Sequence, residues 1–212
     1  MRHVIWDWNG TLFDDLHIVV ESVNASLAEL GAPPIDADGY RDYYTRPVHL
    51  FYERLLEREL TADEWKQIDA TFHDTYRLAL PRAGLALDAL DALATVVERG
   101  WRQSILSMWW HEELVPFVEG RGLSGFMDRV DGNHHDAGET KQIHLERHLE
   151  QLGIEDVGAE AFLVVGDALD DARAAIGAGV PCVLYDSGSH HRSALEAAGV
   201  PVVESLQAAL DA

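Results

Sequence analysis

MRHVIWDWNGTLFDD, residues Met1–Asp15, is the stretch from which this chain is best read. Val4-Ile5-Trp6 is an apolar run of the length expected for a short buried strand. It stops at Asp7, and Asn9-Gly10-Thr11 brings turn chemistry directly behind it. Charge at the carboxyl end of a buried strand is costly unless it is used. In open α/β sheets that end is where ligands bind. The plainer alternative is a strand followed by an Asn-Gly turn, with Asp7 capping the next helix.

Outward from this stretch, helix and strand signals alternate, with one interruption. Leu16, Val19, Val20, Val23, Leu27 and Leu30 recur at helical spacing, and Gly31 with Pro33-Pro34 ends that helix. Helices are expected over Pro47–Leu60 and Thr61–Leu80, the second opening on Thr61 with Glu64 three residues on, a capping-box pattern. Pro81 closes this strand-free block. From Gly84 the pattern becomes α/β, with strands expected at Gln103–Ser107, Met127–Val130, Phe162–Val165, Pro181–Tyr185 and Val202-Val203. The helices between them are expected at Leu85–Arg99, Glu112–Arg121, Lys141–Leu152, Asp171–Ala178 and Ser193–Ala198. Such alternation implies a Rossmann-like parallel sheet covered on both faces. The expected division is an α/β core of residues 1–15 and 82–212, with an inserted all-helical domain over 16–81.

Composition narrows the partners. The 212 residues carry 37 acidic against 16 basic side chains, a formal net charge of -21. That balance argues against nucleic acid and anionic membrane surfaces as partners. An anionic substrate would need a locally positive pocket. The single cysteine, Cys182, excludes an internal disulfide and any site built from several thiolates. With no apolar run long enough to span a bilayer, and an N-terminus running straight into a strand, cytoplasmic residence is the expectation. Monomer and homodimer both remain open.

Three further residues or groups fall at places comparable to Asp7. Ser107 ends the expected strand Ser104-Ile105-Leu106, Lys141 opens a helix, and Asp167 follows Phe162–Val165 with Asp170 and Asp171 close behind. Each has a bland reading, as a turn hydroxyl, a surface charge and an N-cap with acidic first-turn residues. Lysine at a helix start is electrostatically unhelpful, however, and Lys141 is one of only two lysines in the chain. Carboxylate, hydroxyl, ammonium and paired carboxylates together have the make-up of a Mg²⁺ and phosphate pocket.

D-W-N-G-T-L at Asp7–Leu12, I-L-S at Ile105–Ser107, Lys141, and V-V-G-D-x-x-x-D at Val164–Asp171 resemble the four ordered motifs of the haloacid dehalogenase superfamily. The helical block after the first motif resembles that superfamily's C1-type cap, and the chain is most similar to its phosphoglycolate phosphatase-like subgroup. The resemblance implies a hydrolase acting on a small phosphorylated metabolite. Asp7 would attack phosphorus and form an aspartyl-phosphate. Mg²⁺ would sit between Asp7, the Asn9 carbonyl and Asp167, with Asp171 an outer or water-mediated partner. Ser107 and Lys141 would hold the phosphoryl oxygens, Thr11 would orient the loop beside them, and the cap would close over the site.

At Asn9 the chain departs from that pattern. The phosphatases carry there an aspartate that acts as general acid, then general base; an amide cannot deliver and recover a proton at neutral pH. The departure leaves three alternatives: a slow or specialised phosphatase, a phosphoryl-transfer enzyme, or a non-catalytic phosphate binder. A phosphonatase would need a cap lysine, and Lys66, the one candidate, lies on a polar helical face. Arg46 and His49 flank Pro47 at an expected helix start, and Arg46 suits recognition of a substrate carboxylate or phosphate. Trp109-Trp110-His111 follows Ser107 and reads either as lining of the site entrance or, as half-buried aromatics more often are, as packing. The pairs His134-His135 and His190-His191 read as loop histidines rather than metal ligands.

Overall fold

A computed structural model describes residues 2–134 and 139–212. In chain order, β1 spans His3–Trp6, β2 Phe13–Asp14, α1 Leu16–Glu29, α2 Ala37–Tyr43, α3 Val48–Leu56, α4 Ala62–Ala79, β3 Gly84–Leu85 and α5 Ala89–Glu98. There follow β4 (Arg102–Trp110), α6 (His111–Gly120), β5 (Arg129–Asn133), α7 (Lys141–Gln151), α8 (Ile154–Val157) and β6 (Phe162–Gly166). The last elements are α9 (Leu169–Ala178), β7 (Cys182–Tyr185), α10 (Arg192–Glu196), β8 (Val202–Val203) and α11 (Leu206–Ala209).

By its contacts the chain forms two compact units, residues 1–13 with 85–212, and residues 14–84. The first holds a six-stranded sheet of order β5-β4-β1-β6-β7-β8, with every adjacent pair parallel. Strands buried on both faces read as continuous apolar runs, and β1 and β6 are buried along their whole length. On one face Ile5, Leu106 and Val164 pack with Leu145 and Leu149 of α7 and with Ala172 and Ala175 of α9. On the other, Trp6 donates to the Gln103 side chain at 2.9 Å, and Gln103 donates to the Leu93 carbonyl of α5. Leu93 and Val96 of α5 and Leu114 and Val118 of α6 are also buried.

A polar chain is buried among these apolar residues. His3 Nε2 lies 2.9 Å from Ser104 Oγ, which lies 2.8 Å from His148 Nε2; His148 Nδ1 in turn lies 2.6 Å from Asp131 Oδ2. The chain ties α7 to β1, β4 and β5, satisfying groups that would otherwise be costly to bury.

The second unit is built on α1 and α4. Ser26 on α1 donates to the Ile68 carbonyl of α4 at 2.8 Å. Val23, Leu27, Phe51, Tyr52 and Ile68 form its core. At the start of α4, Thr61 Oγ1 accepts from Glu64 N at 3.2 Å and Thr61 N donates back to the Glu64 carboxylate at 2.9 Å. The capping box is therefore present in full.

Sequence and structure part at several elements. Helix α2 was not expected, because ADGYRDY is polar, contains Gly39 and buries only Tyr40; an Asp36 side-chain cap on Gly39 N supports it. Strand β4 runs on to Trp110 instead of ending at Ser107. Its pairing with β5 breaks register between Leu106 and Trp110, so Ser107 sits where the ladder opens. Helix α9 begins at Leu169, two residues before the expected start. Short α11 was also missed, and is capped by Ser205 on Ala208 N.

Candidate active site

Asp7 N donates to the Val165 carbonyl at 2.8 Å, so the ladder between β1 and β6 runs one step beyond Trp6 before the Asp7 side chain emerges. Asp167 directly follows β6, the neighbouring strand. The first turn of α9 then brings back Asp171, whose Oδ2 accepts from Ala168 N at 3.0 Å. Gly166 makes that return possible, since a Cβ there would fall on the Asp171 carboxylate. Gly10, at φ 73°, does the same on the opposite side, where a Cβ would fall on the Asp167 carboxylate.

One carboxylate oxygen from each of Asp7, Asp167 and Asp171 lies within 4.8 Å of the others, and all three residues are buried. Lys141, the first residue of α7, pairs with Asp7 Oδ1 and stands 2.5 Å from Asp171 Oδ1. Burial raises the Asp7 pKa to about 6 despite Lys141, with Asp171 adding to the rise. Burial likewise holds Asp167 well above the ordinary aspartate range, with Asp7 and Asp171 adding to it. Burial works against the Lys141 charge, but Asp171 and Asp7 outweigh it and raise its pKa. Three carboxyl groups thus crowd one buried ammonium, and their mutual repulsion adds to the rise of the Asp7 and Asp167 pKa values. Hard oxygen donors in such an arrangement suit a divalent cation such as Mg²⁺.

Around this cluster, Thr11 is fully buried and donates to Asp167 Oδ1 at 3.1 Å. Ser107 Oγ donates to Asn9 Oδ1 at 3.4 Å and accepts from Trp109 N at 3.1 Å. Sequence reading overlooked the loop after β7. Ser187 donates to Asp167 Oδ2 at 3.2 Å, and Ser189 donates to the same oxygen. The only signal was position: D-S-G-S follows a strand end, as the other residues do, but its meaning depends on β7 lying beside β6.

The remaining candidates lie elsewhere or pack. Arg46 is an exposed residue just before α3, in the unit of residues 14–84, where His49 sets its ring 6.1 Å from Trp65. Lys66 is exposed on α4. Trp109 donates to Glu113 at 2.9 Å and packs on Phe117. His134 lies 4.2 Å from the His111 ring, while His135 lies outside the described residues. His190 Nδ1 lies 3.1 Å from Ser189 Oγ. Among the described residues, the only group of three or more His, Cys, Asp or Glu able to share a metal is Asp7, Asp167 and Asp171.

The sequence model of the haloacid dehalogenase-like hydrolases matches residues 1–179. The chain belongs to this family. Haloacid dehalogenase-like hydrolases similar to it include the plasmid-borne phosphoglycolate phosphatase of Cupriavidus necator, 29% identical over 212 residues and covering 97% of this chain and 90% of the relative. The phosphoglycolate phosphatase of Synechococcus elongatus is also 29% identical, covering 93% of this chain and 90% of its own. Two solved structures share the fold. A predicted phosphoglycolate phosphatase from Haemophilus somnus superposes with a TM-score of 0.81 at 17% identity, over 100% of this chain and 97% of that one. A haloacid dehalogenase-like family hydrolase from Streptococcus pneumoniae gives 0.82 at 17% identity with the same coverage. No helix among the described residues is long and apolar enough to cross a membrane.

Proposed function

We propose that this hydrolase is a Mg²⁺-dependent phosphatase acting on the phosphate ester of a small acid, phosphoglycolate or a close analogue. The observation carrying the proposal is the buried Asp7–Lys141–Asp171–Asp167 cluster, which offers a nucleophile, a phosphate-directed ammonium and excess carboxylate at one point. The names borne by the relatives from Cupriavidus necator and Synechococcus elongatus support the choice of ester.

In this reading Asp7 Oδ attacks phosphorus, forming a phosphoric-carboxylic anhydride as the ester oxygen leaves and takes its proton from solvent water, since the Asn9 amide is no acid. Lys141 exchanges part of its pairing with Asp7 and Asp171 for the phosphoryl oxygens, which lessens repulsion between nucleophile and substrate. Ser107 adds a hydroxyl to those oxygens, and Thr11 keeps Asp167 in place by its hydrogen bond to Oδ1. Asp7, the Asn9 carbonyl and Asp167 would hold Mg²⁺, with Asp171 at the second rank; the ion supplies charge neutralisation at the transferring phosphoryl group. The unit of residues 14–84 would take the part of the cap that chooses the leaving group, and Arg46 is its residue suited to an anionic substrate group. Water then opens the anhydride at phosphorus and releases phosphate, regenerating Asp7. Asn9 makes this the slow step, because its amide cannot take water's proton.

The test is phosphate release from a panel of small phosphomonoesters with Mg²⁺, run beside Asp7→Asn. Turnover that needs both the metal and Asp7 is the expected result; turnover surviving Asp7→Asn rejects the mechanism. A second reading, a binder that is phosphorylated once and not turned over, is favoured by one observation. Ser107 holds Asn9 by its amide oxygen at 3.4 Å, and no carboxylate stands at that position.

A further inference from the structure

Asp167 is held more completely than any other member of the acidic cluster. The sheet order places β1 on one side of β6 and β7 on the other. The loop after β1 therefore delivers Thr11 to Oδ1, at 3.1 Å. From the other side, the loop after β7 delivers both Ser187, at 3.2 Å, and Ser189 to Oδ2. An ionised carboxylate has about four lone-pair directions, two on each oxygen. Both directions on Oδ2 are taken by serine hydroxyls, and one of the two on Oδ1 is taken by Thr11. One remains, on Oδ1.

We propose that Ser187 and Ser189 are positioning residues that saturate Asp167 Oδ2, so that Asp167 meets a divalent cation through Oδ1 alone. The proposal rests on the metal-site reading above and adds residues to which neither the family motifs nor the sequence reading gave a part. Ser189 Oγ also lies 3.1 Å from His190 Nδ1. Partners that orient a ligating carboxylate typically change metal affinity by about 10–100-fold when removed.

The experiment is calorimetric titration of Mg²⁺, with Mn²⁺ followed by electron paramagnetic resonance as a second probe, and no substrate present. Wild type, Asp167→Ala, Ser187→Ala, Ser189→Ala, the double serine variant and Ser189→Thr are compared, with circular dichroism confirming that each is folded. The expected result is loss of binding in Asp167→Ala and a fall of about 10–100-fold in affinity for the double variant. Smaller falls are expected in the single variants, and near-wild-type affinity in Ser189→Thr, which keeps the hydroxyl. A purely structural role for the serines would lower the melting temperature and leave metal affinity alone, and that outcome overturns the proposal. If wild type and Asp167→Ala bind metal equally, the metal-site reading fails first and takes this proposal with it. Should the double variant not fold, Ser187→Ala and Ser189→Ala decide, and wild-type affinity in both rejects the idea.

Discussion

In the reading proposed above, Asn9 stands where the motif would carry an acid–base aspartate, and the difference is one of proton transfer. Its backbone carbonyl is unaltered by the change, so metal binding and attack by Asp7 remain open to it. Asn9→Asp is expected to accelerate phosphate-ester turnover by about 10²–10⁴, the usual worth of a positioned general acid or base. Asn9-Gly10 is also a deamidation-prone pair, so intact mass must accompany the kinetics. An Asn9→Asp protein no faster than wild type on every ester would remove the general-acid argument and favour the binding role. A second expectation at this scale concerns Asp167. Three carboxylates share one lysine, so the metal-free site carries its charge at a cost in stability. Asp167→Asn should raise metal-free stability by about 0.5–2 kcal/mol, the gain common when function-serving strain is relieved. The same variant should lack the upward melting shift expected of wild type in Mg²⁺. Melting curves in chelator and in Mg²⁺ check both halves.

At the scale of elements, α7 joins the site to the interior. Its first residue, Lys141, meets Asp7 and Asp171, while His148, two turns on, is held in the chain running from Asp131 through Ser104 to His3. Burial lowers the His3 pKa to about 4, from 6.5 in an open chain. Below pH 6.5 the unfolded chain binds a proton that folded His3 refuses, so stability must fall as pH drops from 6.5 towards 4. The slope from this one group is at most about 1.4 kcal/mol per pH unit. His3→Gln should flatten the curve over that window and leave it unchanged above pH 7, as urea denaturation at stepped pH would show. An undiminished slope in His3→Gln would assign the pH dependence to other groups. Removing the central hydroxyl is a different matter. Ser104→Ala leaves two ring nitrogens buried without their shared partner and is expected to cost about 1–3 kcal/mol at pH 7, measured in the same way.

Over the whole molecule, 37 acidic and 16 basic side chains impose a self-repulsion that no single contact reveals. Raising NaCl from roughly 10 mM to 150 mM shortens the screening length from about 30 Å to about 8 Å. The melting temperature should therefore rise with salt, and a fall would show that specific ion pairs outweigh the general repulsion. Exposed surface pairs such as Arg41–Asp38 and Arg82–Glu21 are each worth only about 0–1 kcal/mol, too little to carry such a reversal singly.

What the sequence determined by itself was local. A buried parallel strand must be apolar on both faces, so Val4-Ile5-Trp6 and Phe162–Val165 announce themselves, and so does the point where each meets a charge. Helix α4 was legible to its first residue, because Thr61 and Glu64 satisfy each other within one turn. Elements lacking such local signals, α2 with its internal glycine and α11 with four residues, were silent. Only the tertiary structure could decide adjacency. Thr11, Asp167 and Ser187 are 156 and 20 residues apart along the chain, and they meet because β6 lies between β1 and β7. The same holds for His3, Ser104, His148 and Asp131, which look like unrelated polar residues until β1, β4, β5 and α7 are stacked. Strand order is fixed by how whole faces pack and cross over, a property no window of sequence contains.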